Sequence, residues 1–334
     1  MMRRRATIVG VTLLIIVFTV LSCVSLNARD MSALSGIYST ISDSGLVARL
    51  DITGTFEEGM LLGKAVVGEK TLPNQIIVST SPVYQVLPLQ WISSTELLVD
   101  GRTIYDADND QLSQIKTPLG FVSDYEVSPD KTLLALVGKN DSSGTVDVVV
   151  YDFKSQKTTT VHSSKPEWIG ELDYQVAWDV ENNLYFDSAV HEMPVIMVYT
   201  QDGIELFKQG GQFPVASPNG SVLTYRLADS VYYKECSEDP SIAVLKLDSG
   251  REHILNDDGR VDFGNSNNRL ALVKPGGFSI YAVSPAITLL EEQNLVGGKA
   301  FFDLQGDTIS LMHRKSSQDG SRPERFDTFQ LQLQ

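Results

Sequence analysis

The chain has 334 residues, with 27 Lys and Arg against 42 Asp and Glu, a formal charge of −15 and 42% hydrophobic residues. Phosphate backbones are held by Lys and Arg, so so acidic a chain excludes nucleic acid as a partner. With only two cysteines, Cys23 and Cys236, stability must come from core size, and this length supports one large all-β unit or two smaller ones.

The N-terminus is a targeting segment. Arg3, Arg4 and Arg5 precede an uncharged, mostly aliphatic run from Ala6 to Val20, and Val20-Leu21-Ser22-Cys23 follows. This order resembles a bacterial lipoprotein signal, in which a small residue precedes a cysteine that is lipidated and becomes the mature N-terminus. The resemblance implies a signal peptide over 1–22, a lipid anchor on Cys23, a tether over 23–34, and a body over 35–334 held outside the cytoplasm, periplasmic or at the cell surface. Leu21 is bulkier than that pattern usually has. Two alternatives stay open: residues 6–26 are uncharged and approach the ~20 residues of a spanning helix, or the chain is simply secreted. Every version leaves the Arg cluster inside and the body outside. With Cys23 lipidated, Cys236 has no disulfide partner and reads as a small buried hydrophobe.

Beyond the tether the pattern has period two, as in Phe329-Gln330-Leu331-Gln332-Leu333-Gln334, and no window reads as a long amphipathic helix. A polar turn followed by an apolar strand recurs, with strands starting at Leu97, Leu133, Leu184, Val222, Leu270 and Ile309. Their spacing averages about 42 residues, the length of a four-stranded propeller blade. Val127 to Val161 is the clearest unit: a Pro129-Asp130 turn, a strand from Thr132, a polar loop ending at Gly144, and a hairpin from Val146 through Lys154–Lys157 to Val161. Ser35 to Thr80 supplies one more unit.

Val127-Ser128-Pro129-Asp130 and Ala216-Ser217-Pro218-Asn219-Gly220 resemble the Ser-Pro-Asp-Gly strand starts of periplasmic TolB-like and WD-repeat-like propellers. Lys131 stands where those families prefer Gly. The expected fold is all-β: a single propeller of about seven four-stranded blades, with six or eight possible. The last repeat shows three strands, near 300–304, 308–313 and 326–333, and a ring needs its edges closed. Residues 36–41 are the expected donor of the fourth. The rival architecture is a pair of β-sandwiches divided near Lys165 to Trp168.

Candidate chemistry is sparse. Asp106-Ala107-Asp108-Asn109-Asp110 opens like a calcium loop, but Gln111 replaces the turn Gly and Thr117 the bidentate Glu, so it reads as a hairpin turn. Asn256-Asp257-Asp258-Gly259 reads as a blade-junction turn. His162, His191, His253 and His313 share no metal-type spacing. Ser317-Gln318-Asp319-Gly320 departs from a sialidase aspartate box, and no hydrolase elbow occurs. Trp91, Trp168, Trp178, Tyr232 and Tyr233 could line a ligand site, with interblade packing expected for at least two of the three Trp. No catalytic, cofactor-binding or metal residue is assigned. The expectation is a non-catalytic, membrane-anchored binding or scaffold module for envelope proteins or peptides, monomeric outside a complex. A glycan or small-ligand receptor and a channel-sited hydrolase, lyase or lactonase are the alternatives.

Overall fold

The computed structural model describes residues 38–57, 60–79, 89–165, 174–190, 193–227, 241–257, 259–263, 267–274, 277–294, 300–305, 308–315 and 325–332. It is all-β among those residues, with seven antiparallel sheets. Blade 1 is β1 (Tyr38–Ile41), β2 (Val47–Glu57), β3 (Met60–Val67) and β4 (Lys70–Ser79). Blade 2 is β5 (Leu89–Trp91), β6 (Glu96–Val99), β7 (Thr103–Asp106) and β8 (Gln111–Gln114). Blade 3 is β9 (Leu119–Val127), β10 (Leu133–Asn140), β11 (Val146–Asp152) and β12 (Lys157–Ser164), and blade 4 is β13 (Val176–Trp178), β14 (Leu184–Val190), β15 (Met193–Thr200) and β16 (Gly203–Gln209). Blade 5 is β17 (Gly211–Ala216), β18 (Val222–Leu227), β19 (Ser241–Lys246) and β20 (Arg251–Leu255). Blade 6 is β21 (Arg260–Asp262), β22 (Arg269–Lys274), β23 (Gly277–Ala282) and β24 (Thr288–Asn294), and blade 7 is β25 (Ala300–Gln305), β26 (Thr308–Lys315) and β27 (Arg325–Gln332).

Each sheet takes its strands in chain order, the meander from which a propeller is built. Burial follows position within the blade. The middle strands are packed on both faces, which is why Val146 to Tyr151 is buried throughout although its sequence does not alternate. The fourth strands are largely exposed, as in β8 and β16. The core is correspondingly a series of interblade clusters. Leu50, Ile76, Leu89 and Leu97 join blades 1 and 2; Leu98, Tyr125, Leu134 and Tyr151 join blades 2 and 3. Val148, Val176, Trp178 and Phe186 join blades 3 and 4, and the clusters continue through Tyr185 with Tyr225 to Val244 with Leu272.

The closure differs from the sequence expectation. Residues 38–41 do not complete the last blade; they pair with β2, in register from Tyr38 with Leu50 to Ile41 with Val47. The Ser42–Leu46 turn is the physical reason. Gly45, at φ 84°, donates its N–H to the carbonyl of Ser42 at 2.9 Å, and the N–H of Leu46 reaches the Ser42 hydroxyl at 3.0 Å. A short hairpin closes at far lower entropic cost than a strand recruited from the other end of the chain. The last sheet has three strands among the described residues. The paired-sandwich alternative is overturned, since among the described residues on either side of 166–173 Val148 and Val150 share one buried cluster with Val176, Trp178 and Phe186. Among the described residues, no helix is long and apolar enough to cross a membrane. Residues 1–37, including Cys23, lie outside the described part.

Candidate functional site in the central channel

The inner strands end in turns of one design. In blade 3 the N–H of Ser128 donates to the carbonyl of Leu133 at 2.9 Å while the Ser128 hydroxyl accepts the Leu133 N–H at 3.0 Å. Ser217 with Val222 in blade 5 repeats this at 2.9 and 3.1 Å. In blade 4 the carboxylate of Asp179 substitutes for the hydroxyl, accepting the Asn183 N–H at 2.8 Å. The Ser-Pro-Asp and Ser-Pro-Asn segments also match in side-chain wiring. Ser128 donates to Asp130 Oδ1 at 2.7 Å, and Ser217 donates to Asn219 Oδ1 at 2.9 Å. Burial alone would raise the Asp130 carboxyl, but donors from Ser128, Thr132 and Asn182 pull it down to about 2. Lys131, where the resembled families prefer Gly, has φ 60°, the left-handed conformation that Gly220 adopts at φ 66° in blade 5.

The turn tips are stitched to one another around the mouth. Ser44 donates to the Ser94 carbonyl at 2.6 Å, Lys131 pairs with Asp43 at 3.1 Å, and Asn182 donates to Asp130 at 2.7 Å. The Val180 N–H reaches the Gly220 carbonyl at 3.1 Å, and the Asn219 N–H reaches Asn267 at 2.8 Å.

These turns fix which side chains face inward. Counting back from the turn, the second inner-strand residue is Thr40, Gln90, Glu126 or Val215 in blades 1, 2, 3 and 5, and all four line a central channel of about 700 Å³. Pairing aligns blade 6 with blade 3: Asp262 opposes Ala271 as Glu126 opposes Ala135, and Arg260 opposes Val273 as Asp124 opposes Val137. One level of the channel wall therefore carries Asp124, Gln175, Phe213 and Arg260 from four successive blades. The charged lining residues number four acids, Asp124, Glu126, Asp257 and Asp262, and four bases, Lys131, Arg226, Arg260 and Lys274. By formal count these cancel, against a chain charge of −15.

The acids of β9 act as fasteners. Asp124 Oδ2 accepts the N–H of Val176 at 3.0 Å, and Glu126 Oε2 accepts the N–H of Trp178 at 3.3 Å. Two carboxylates at strand period thus meet two amides at strand period on β13. Asp187, 2% exposed, also fastens blade 4 to blade 5, accepting the N–H of Phe213 at 2.7 Å, and it takes the N–H of Gln175 in its own blade at 2.9 Å. Burial pushes the Asp124 carboxyl up to about 7, against the lowering effect of its amide donors. Burial, then the charge of Asp124, raises Glu126 well above the carboxylate range. Across the channel, Lys274 pairs with Asp257 at 2.7 Å, and Tyr281 donates to Asp257 at 3.2 Å. Burial and the Asp257 carboxylate push the Tyr281 phenol up to about 12.

The sequence candidates are placed as follows. Asp106 to Asp110 is the β7–β8 hairpin, with Asp106 accepting the N–H groups of Asp108 and Asn109 at 3.0 and 3.1 Å. Asp257 lies at the blade 5–6 junction, as expected for a turn, but its carboxylate lines the channel, a role its Asn-Asp-Asp-Gly setting concealed. Trp91 and Trp178 are 7% and 1% exposed at matching inner-strand positions, and Trp91 also lines the channel. His162 is tucked against Phe186, its ring nitrogen 3.2 Å from the Ser188 hydroxyl, and burial pushes its pKa down; His253 is exposed on β20. Among the described residues no group of three or more His, Cys, Asp or Glu is arranged to hold a metal ion. Trp168, His191, Tyr232, Tyr233, Cys236, Asp258, the Ser317–Gly320 segment and the side chain of His313 lie outside the described part. Asp124, Glu126, Gln175 and Arg260 were not legible as a site; the one sequence signal was a pair of acids two apart in an inner strand.

No protein-family model and no curated protein matches the chain. Solved structures do. The β-propeller domain of the Trilobed protease from Pyrococcus furiosus, described as having an open velcro topology, is 12% identical with a TM-score of 0.53, over 90% of this chain and 96% of that one. An oligogalacturonate lyase in complex with manganese is 11% identical at TM-score 0.52, over 89% and 96%. TolB from Acinetobacter baumannii is 12% identical at TM-score 0.42, over 82% and 77%. At such identities the two likenesses with TM-scores above 0.5 establish the β-propeller fold and nothing finer.

Proposed function

We propose that this β-propeller is a non-catalytic binding module of the cell envelope, tethered to a membrane outside the cytoplasm through a lipid on Cys23 and working as a monomer until it meets its partner, an envelope protein or peptide. The observation that carries the reading is the construction of the channel. Asp124 and Glu126 in the channel, and Asp187 behind it, are engaged by main-chain N–H groups of the neighbouring blade. Carboxylates used in this way hold a recognition surface in shape. The Arg-rich n-region, the apolar run and Ser22-Cys23 support the tether.

Crosslinking in native envelopes tests it. A photo-reactive residue at Lys131, on the mouth, should capture one dominant envelope protein, and Cys23→Ala should release the chain from the membrane fraction. Capture equally strong from the outer strand at Leu206, which is 53% exposed, would contradict it.

One observation favours a second reading. A carboxyl with pKa about 7 in a channel is what an acid–base lyase or hydrolase requires. In that case Asp124→Asn abolishes a turnover that Asp257→Asn spares.

A further inference from the structure

We propose that the channel binds an uncharged sugar, a mono- or disaccharide, seated against the Gln175 amide and the Phe213 ring where blades 4 and 5 meet. The inference goes beyond the envelope-partner reading, which requires no small ligand.

The wall itself argues against a charged ligand, because all eight charged residues of the lining are already engaged. Lys274 pairs with Asp257 at 2.7 Å and Lys131 with Asp43 at 3.1 Å. Arg226, Arg260 and Asp262 hold interactions of their own. Asp124 and Glu126 are taken by the N–H groups of Val176 and Trp178, and burial shifts both toward their proton-bearing, uncharged forms. A ligand ion entering here would shed its hydration and find no unpaired counter-charge to replace it.

Gln175 and Phe213, by contrast, are placed together by one carboxylate. Asp187 Oδ2 accepts the N–H of Gln175 at 2.9 Å and Asp187 Oδ1 that of Phe213 at 2.7 Å, so a single buried side chain sets two lining residues beside each other across the junction of two blades. Gln175 is 6% exposed, and its Oε1 is buried with no hydrogen-bond partner among the described residues. A buried acceptor left without a donor is costly, and in the wall of a cavity a ligand or an ordered water relieves it. Phe213 is 8% exposed and stands at φ 58°, a conformation in which a bulky side chain is an outlier. Strain of this kind is kept where the surrounding structure fixes a residue for a ligand.

An amide oxygen that needs a donor, next to an aromatic ring, matches a pyranose: a hydroxyl donates to the oxygen while the C–H face of the sugar covers the ring. Hydroxyls both donate and accept, so they also suit the uncharged carboxyls of Asp124 and Glu126 on the adjoining blade. The volume of about 700 Å³ falls among small-ligand sites.

Titration calorimetry on the full chain, in a detergent without a sugar headgroup, tests this with glucose, galactose, N-acetylglucosamine, maltose, lactose and diacetylchitobiose. At least one should bind, and its uronate and its 2-amino analogue should bind at least tenfold more weakly. Gln175→Met, which removes the orphaned oxygen, should weaken binding at least fivefold without lowering the melting temperature. Should Met lower it, Gln175→Asn, which keeps the amide but draws its oxygen back by one methylene, should show the same loss of affinity. No binding of any of the six at millimolar concentration would mean that ordered water alone satisfies Gln175 and would overturn the proposal. Equal affinity for a charged analogue, or undiminished affinity in both Gln175 variants, would overturn it as well. Neither result touches the crosslinking at Lys131, so failure of the sugar site is distinguishable from failure of the envelope reading.

Discussion

The indole N–H of Trp178 donates to the main-chain carbonyl of Glu126 at 3.0 Å, so the inner strand of blade 4 is bonded to the inner strand of blade 3 by a side chain. Trp91 does the same one pair of blades earlier, reaching the carbonyl of Thr40 at 3.2 Å. Trp178→Phe should therefore cost about 1–3 kcal/mol, the sum of a lost buried bond and lost volume. Urea unfolding measures it. A cost below about 0.5 kcal/mol would mean that the indole bond does not hold the blades together.

Stability should fall as pH rises across the range in which Asp124 ionises. Its folded pKa of about 7 lies above the ordinary 3.8, so the folded state binds its proton more tightly. The contribution is full below about pH 4 and is lost as pH climbs through about 7. Asp124→Asn should flatten that part of the curve of urea midpoint against pH. A wild-type protein that gains stability between pH 5 and pH 8, with the variant following it, would contradict the shift.

The two Ser-Pro turns predict opposite responses to substitution. Lys131 occupies the left-handed region at φ 60°, which costs a side-chain-bearing residue about 1–2 kcal/mol. Lys131→Gly should be neutral or stabilising by up to about 1 kcal/mol, since the exposed pair with Asp43 offsets little. Gly220→Ala should destabilise by more than about 2 kcal/mol, because its Cβ would lie 2.3 Å from the main-chain nitrogen of Val180 in the next turn tip. Thermal melts of the two variants check both signs.

The register of the first blade is open to a chemical test. Thr40 and Ala48 are paired across β1 and β2, so cysteines at both positions, with Cys236→Ser, should form a disulfide on oxidation. Cysteines at Thr40 and Leu331 should not. Efficient bridging of the second pair would restore the closure in which the N-terminal strand completes the last blade.

Much of the architecture was legible because propeller blades are local. The Ser128-Pro129-Asp130 and Ser217-Pro218-Asn219 turns announce strand starts through their own side-chain bonds, and the apolar runs between them need only pair with their sequence neighbours. The closure was misjudged because the edge-pairing argument weighed a global benefit against a hairpin whose Ser42 and Gly45 made local pairing easy. The channel was illegible for a different reason. In Val122-Ser123-Asp124-Tyr125-Glu126-Val127 the acids look like the solvent face of an alternating strand, and only the ring turns that face inward. Asp257 was hidden likewise, being a turn residue by type and a channel residue by placement.

Amide hydrogen exchange at Val176 and Trp178 tests the central claim most directly, namely that the channel acids are fasteners of the ring. Both amides should be protected in the native chain, with Asp124→Ala accelerating exchange at Val176 and Glu126→Ala at Trp178, each leaving the other within a few-fold of its original rate. Unchanged exchange in both variants would contradict the account and leave Asp124 and Glu126 free for chemistry.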